Sequence, residues 1–144
     1  MREPADNDDL ADGAPGAAPA RRPRADARRN EDAVLEAAKQ IFLETGVDAP
    51  VREIAARAGV GVGTLYRRFP QRSDLVAAVF RREVDACAAE AASLAAREPP
   101  LTALAGWLRR YAGFIATKKG LAAALHSGDP AFAALPDYFR RNFE

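Results

Sequence analysis

Between Val51 and Phe69 the apolar positions fall into two short helical registers separated by glycine. In VREIAARAGV, Ile54, Ala55 and Ala58 lie on one side and Pro50 presets a first helical position, which predicts a helix over about 50–58. Gly59 can take the left-handed conformation that ends a helix, Val60 turns toward the core, and Gly61 lets the next helix start at once. Leu65 and Phe69 then stand one turn apart and face inward, leaving Val62, Gly63, Thr64, Arg67 and Arg68 on other faces. The pattern over 50–69 is that of a helix-turn-helix.

The remaining periodicity predicts helices throughout. Asn30 is a good N-cap, with Glu31 and Asp32 in the first turn where the helix dipole favours acids. Val34, Ala37, Ala38, Ile41 and Phe42 make one apolar face, and Gly46 ends the helix. A long fourth helix is expected from about Gln71 to Arg97, striped by Leu75, Val76, Val79, Phe80, Val84 and Cys87, and ended by Pro99 and Pro100. A fifth, Leu101 to about Thr117, places Leu104, Trp107, Leu108, Tyr111, Phe114 and Ile115 on an aromatic-rich face. Such a face usually packs a core. The sharper alternative is that it lines a small-molecule cavity. After Gly120 a short helix over Leu121 to Leu125 is expected, then the turn HSGDP beginning at His126. Asp129 caps and Pro130 opens a further helix, which Pro136 interrupts before Asp137 to Phe143 restarts it.

Composition narrows the function classes. At 144 residues and 49% apolar content, the chain suffices for one ordinary domain, or for a small unit carrying part of a second. One cysteine and one histidine cannot build a disulfide framework or a four-ligand metal site, and no cofactor is expected. Cys87 lies within an apolar stripe and reads as a small buried hydrophobe. His126 reads first as a structural residue. No apolar run reaches the roughly 18 residues of a membrane span, so no membrane partner and a cytoplasmic location are expected. The net charge of +1 hides a division: residues 1–20 carry one base and five acids, residues 21–82 carry 13 bases and 8 acids, and the rest is balanced. Residues 1–29 contain almost no large apolar side chains, so an acidic, then Arg-rich disordered tail is expected over 1–26. Arg21, Arg22, Arg24, Arg28 and Arg29 make it either a basic arm for DNA or a solubilising tail. Positive charge around the helix-turn-helix is what displacement of phosphate counterions requires.

From about Asn30 to Glu83, roughly 55 residues in register, the chain resembles the tetracycline-repressor-like (TetR) transcriptional regulators. The resemblance is carried by Gly46, VREIAARAGV, GTLY, an aromatic before Pro70 and a long fourth helix, and it continues more weakly through YAGFIATKKGLAAALHSGDP. It implies an all-α fold. A helix-turn-helix DNA-binding domain over 27–86 would be joined by the long fourth helix to a partial helical regulatory domain over 87–144. Carried over position by position, Val62, Gly63 and Thr64 match positions that approach base edges, and Arg52 matches one that reaches a base. Tyr66, Arg67, Arg68 and Arg72 match phosphate-binding positions. Trp107, Tyr111, Phe114 and His126 are the expected lining of a ligand pocket.

The implied partners are a palindromic double-stranded DNA operator, a small-molecule effector that releases it, and a second copy of the chain, with the protein on the nucleoid when bound. Two departures stand out. Gly61 and Val62 replace the Ser and Lys of many relatives, removing a strong N-cap and a cation. The two long pairing helices usual in the family are also expected to be missing, which reads as a truncated chain that is monomeric or aggregating. The competing readings are a helical protein-interaction module with a basic surface, and an enzyme. Against the enzyme, Gly59, Gly61 and Gly63 follow a helix and lack both the third glycine of GxGxxG and a Lys-Ser/Thr pair, and no catalytic constellation is visible.

Overall fold

The computed structural model describes residues 21–144, with side chains described from residue 24 onward. Six α-helices and one 3₁₀ turn account for the regular structure of the described residues: α1 (Arg21–Thr45), α2 (Val51–Ala58), α3 (Val62–Arg68), α4 (Arg72–Arg97), α5 (Pro100–Leu125), the 3₁₀ turn Pro130–Phe132 and α6 (Leu135–Phe143). The all-α expectation is met by these elements. α1 packs on α2, α4 and α5, α2 on α3, and α4 on α5 and α6.

The helix-turn-helix forms for the reasons its residues suggest. Gly59 adopts φ 74°, ψ 28°, and the amides of Gly59 and Val60 turn back onto the last carbonyls of α2. That closes the helix without an exposed run of orphan acceptors. Pro50 is the N-cap of α2, with extended ψ of 133°, so it sits one residue before the first helical position expected for it. Ile54, Ala55, Leu65 and Phe69 are buried together with Val34, Ala38, Ile41 and Phe42 of α1. α4 starts with a capping box: Asp74 Oδ2 accepts from the Gln71 amide at 3.0 Å, while the Gln71 side chain accepts from the third helical amide. Its stripe of Leu75, Val76, Val79, Phe80, Val84 and Cys87 is buried as predicted. Burial raises the Cys87 thiol pKa, which keeps it an un-ionised packing residue.

Several boundaries move. α1 begins at Arg21 rather than near Asn30, so residues 21–26 are helical where a disordered tail was expected; the rest of that tail, 1–20, lies outside the described residues. Arg and Ala are good helix formers, Pro23 falls in the first turn where its missing N–H breaks no intrahelical bond, and Arg29 pairs with Asp26 one turn back at 2.7 Å. α5 is continuous from Pro100 to Leu125, so Gly120 does not divide it. A Cβ on Gly120 would lie 3.0 Å from Leu43 Cδ2 of α1, which makes this glycine a point of close helix approach. Pro136 lies in the first turn of α6, where it starts the helix instead of interrupting one.

The aromatic face of α5 also divides. Trp107, Tyr111 and Phe114 turn inward and pack on Phe139 and Phe143 of α6, and Trp107 Nε1 donates to the Cys87 carbonyl at 3.0 Å. Leu101, Leu104, Leu108 and Ile115 are exposed. Glu83, 2% exposed, joins three helices: its Oε1 lies 3.1 Å from Lys39 Nζ of α1 and its Oε2 lies 3.5 Å from Arg110 Nη1 of α5.

Candidate nucleic-acid interface and cleft

α3 is short and stands out from the body of the fold, because only Leu65 along it is buried. Its other side chains are exposed: Val62 at 36%, Tyr66 at 48%, and Thr64, Arg67 and Arg68 as well. Gly61 caps it in extended conformation with no side-chain hydrogen bond, as expected where a serine is replaced. A Cβ on Gly63 would meet nothing within 4 Å, so nothing inside the fold demands glycine there. Arg67 lies back along α3, its Nε donating to the Gly63 carbonyl at 3.3 Å and its Nη2 to Thr64 Oγ1 at 3.4 Å. Arg52 is exposed in the first turn of α2.

Two arginines have partners that the sequence did not suggest. Arg68 makes a forked pair with Glu31 of α1, Nε to Oε2 at 2.8 Å and Nη2 to Oε1 at 3.3 Å, and its guanidinium lies over the Phe69 ring. The hydrogen bond to Glu31 raises the Arg68 pKa above arginine's ordinary value. Arg72 departs further from expectation. Its Nη1 donates to the Val47 and Ala49 carbonyls, so the side chain fastens the α1–α2 loop and turns away from the exposed ridge. A guanidinium at the start of α4 finds those carbonyls because Gly46, at φ 99°, folds the loop back over it.

The second candidate site is an open cleft of about 820 Å³ between the C-terminal half of α5 and α6. Phe80, Ile115, Phe132, Leu135, Phe139 and Phe143 give it an apolar lining. Lys118, Lys119, His126 and Arg140 are its basic rim. Of the pocket residues expected from sequence, only His126 lines it. Its Nδ1 lies 2.8 Å from the Ala122 carbonyl. Trp107, Tyr111 and Phe114 are spent instead on packing α6 against α4 and α5. The lysine pair and Arg140 were missed. Their cationic clustering depends on α6 folding back beside α5, and no periodicity within either helix reports that.

No helix among the described residues is long and apolar enough to cross a membrane, and none of their His, Cys, Asp and Glu side chains cluster as metal ligands do.

Comparisons with known proteins agree on the N-terminal unit. The family described as "Bacterial regulatory proteins, tetR family" matches residues 34–79. An HTH-type transcriptional regulator of Staphylococcus aureus (strain USA300) is 41% identical over 63 residues, which is 43% of this chain and 34% of that protein. The chain therefore aligns with about a third of the length of that curated relative. Among solved structures, a TetR transcription regulatory protein from Mycobacterium vanbaalenii superimposes with a TM-score of 0.71 at 39% identity, over 83% of this chain and 74% of that one. A TetR transcriptional regulator from Streptomyces coelicolor gives a TM-score of 0.68 at 38% identity, over 78% of this chain and 66% of that one.

Proposed function

This chain belongs to the TetR family of bacterial regulatory proteins, and we propose that it binds a palindromic DNA operator as a homodimer and releases it when a small molecule occupies the cleft beside α6. The observation that carries the DNA reading is the freedom of α3. A helix seven residues long that anchors itself through Leu65 alone, and offers Thr64, Arg67 and an unobstructed Gly63 to solvent, leaves most of its surface unused by the fold. In a major groove each group acquires a use. Thr64 exchanges a hydrogen bond with a base edge, Val62 touches a thymine methyl, and Gly63 lets the backbone approach closely. Arg52 takes a base, with a bidentate contact to guanine as its strongest option, while Tyr66, Arg67 and Arg68 hold phosphates and set the register.

The homodimer is part of the same proposal, in place of the monomeric or aggregating chain expected from sequence. Leu101, Leu104 and Leu108 leave an apolar stripe in solvent at the three- and four-residue spacing that a partner helix covers. Release follows if the ligand binds best to a state whose two α3 helices are wrongly spaced for half-sites about 34–36 Å apart. Enzymes are a different class from the relatives this chain matches, which are transcriptional regulators.

The test is selection of DNA from a random pool, followed by gel shift of the selected site against a scrambled one. Arg52→Ala and Thr64→Ala should each reduce preference for the selected site by about 1–3 kcal/mol while affinity for scrambled DNA at low salt stays near that of the parent. Failure to enrich any sequence, or equal losses on both DNAs, would remove α3 from base recognition.

A further inference from the structure

We infer that the cleft between α5 and α6 takes an amphipathic anion: a single apolar chain lying on Phe80, Phe132 and Phe139, with a carboxylate or phosphate head held by Lys118, Lys119 and Arg140. The inference rests on the proposed effector site and names the chemistry of its ligand. Its volume of about 820 Å³ lies within the range of small-molecule pockets. Its lining comes from four elements, since Phe80 is on α4, Ile115 on α5, Phe132 in the 3₁₀ turn and Phe139 on α6. Phe132 and Leu135 are buried at its floor.

Charge decides what kind of ligand fits. Three cationic side chains face the cleft and one acidic side chain, Glu144, does. Arg140 is shared with Asp137 at 3.0 Å, whereas Lys118 and Lys119 have no carboxylate within ion-pair distance among the described residues. Two adjacent lysines left unpaired at the mouth of an apolar groove repel a cationic ligand and gain less from a neutral one than from an anion. An anionic head is held by charge-assisted hydrogen bonds, roughly twice as strong as those between neutral groups. Occupancy has a physical route inward. Phe80 lies one helical turn before Glu83 on α4, so a ligand that displaces Phe80 acts on the helix whose Glu83 ties α1 to α5.

The experiment is calorimetric titration of the full chain with monomeric dodecanoate, dodecyl phosphate, dodecanol and dodecylamine. One or both anions should bind about tenfold more tightly than dodecanol, and dodecylamine most weakly; which anion leads identifies the head group. The advantage over dodecanol should disappear in Lys118→Gln/Lys119→Gln and persist in Lys118→Arg/Lys119→Arg, while Phe139→Ala should weaken anions and alcohol alike. Equal affinity for anion and alcohol, or preference for the amine, overturns the inference. So does a response confined to phosphatidylglycerol vesicles, or sedimentation in which the glutamine pair changes dimerisation without changing ligand affinity. If dodecanol or dodecylamine binds at least as tightly as both anions and releases DNA, the effector reading survives and only the ligand class fails. If no amphiphile binds while sequence-specific DNA binding persists, the effector reading itself fails.

Discussion

Arg72 and Arg68 carry the same charge near the same turn, yet they do different work. Arg72 is half-buried and spends its guanidinium on two loop carbonyls, whereas Arg68 remains exposed and is held by a single carboxylate that a phosphate can displace. Replacing Arg72 with Met keeps the apolar stem and removes those donors. Arg72→Met should therefore lower unfolding free energy by about 1–2 kcal/mol in urea, the range for hydrogen bonds from a charged donor that is not wholly buried. The slope of log affinity for DNA against log salt should stay at the parent value. A slope shallower by about one would mean that Arg72 neutralises a phosphate after all. The sequence marked both positions as cations beside a helix-turn-helix. Whether each guanidinium folds onto loop carbonyls or stays exposed beside a carboxylate was set by where the Gly46 loop and Glu31 came to lie.

Glycine divides in the same way at the level of elements. Gly59 needs its left-handed conformation, and that was legible because a helix, a glycine and a short second helix admit few other geometries. Gly120 looked like a similar stop, yet it lies inside a continuous 26-residue helix, held there because α5 packs on both α4 and α1. The alanine substitution should have opposite signs at the two sites. Gly59→Ala forces a side chain into the left-handed region and should cost about 1–2 kcal/mol. Gly120→Ala gains helix propensity and should stabilise by up to about 1 kcal/mol, because the Leu43 methyl it meets is the free end of a half-exposed side chain. Urea midpoints for the two variants decide it. A destabilised Gly120→Ala would show that Leu43 cannot yield. The α5 stripe carries a related lesson. Trp107, Tyr111 and Phe114 were seen correctly as an apolar face, but their role in packing α6 required knowing that α6 returns to them.

For the molecule as a whole, the question is what makes the helix-turn-helix and the α5–α6 layer one body. Apolar contact along α4 supplies most of it, and Glu83 adds a charged tie between Lys39 and Arg110 with one oxygen that accepts no hydrogen bond. Glu83→Gln should destabilise by about 1–3 kcal/mol, less than for a wholly buried pair because Lys39 and Arg110 retain access to water. Urea unfolding followed by Trp107 fluorescence measures this, and an unchanged midpoint would reduce Glu83 to a bystander. Local rules were enough to specify the helix-turn-helix, the buried stripe of α4 and the exposure of Val62, Thr64 and Arg67. There the apolar spacing, a glycine at a helix end and one turn of separation act over a few residues, and nothing distant competes. Distant packing decided the inward turn of Arg72, the pairing of Arg68 with Glu31, the unbroken α5 and the basic cleft. Each depends on groups brought together from separate helices, whose separation in space no pattern along the chain encodes.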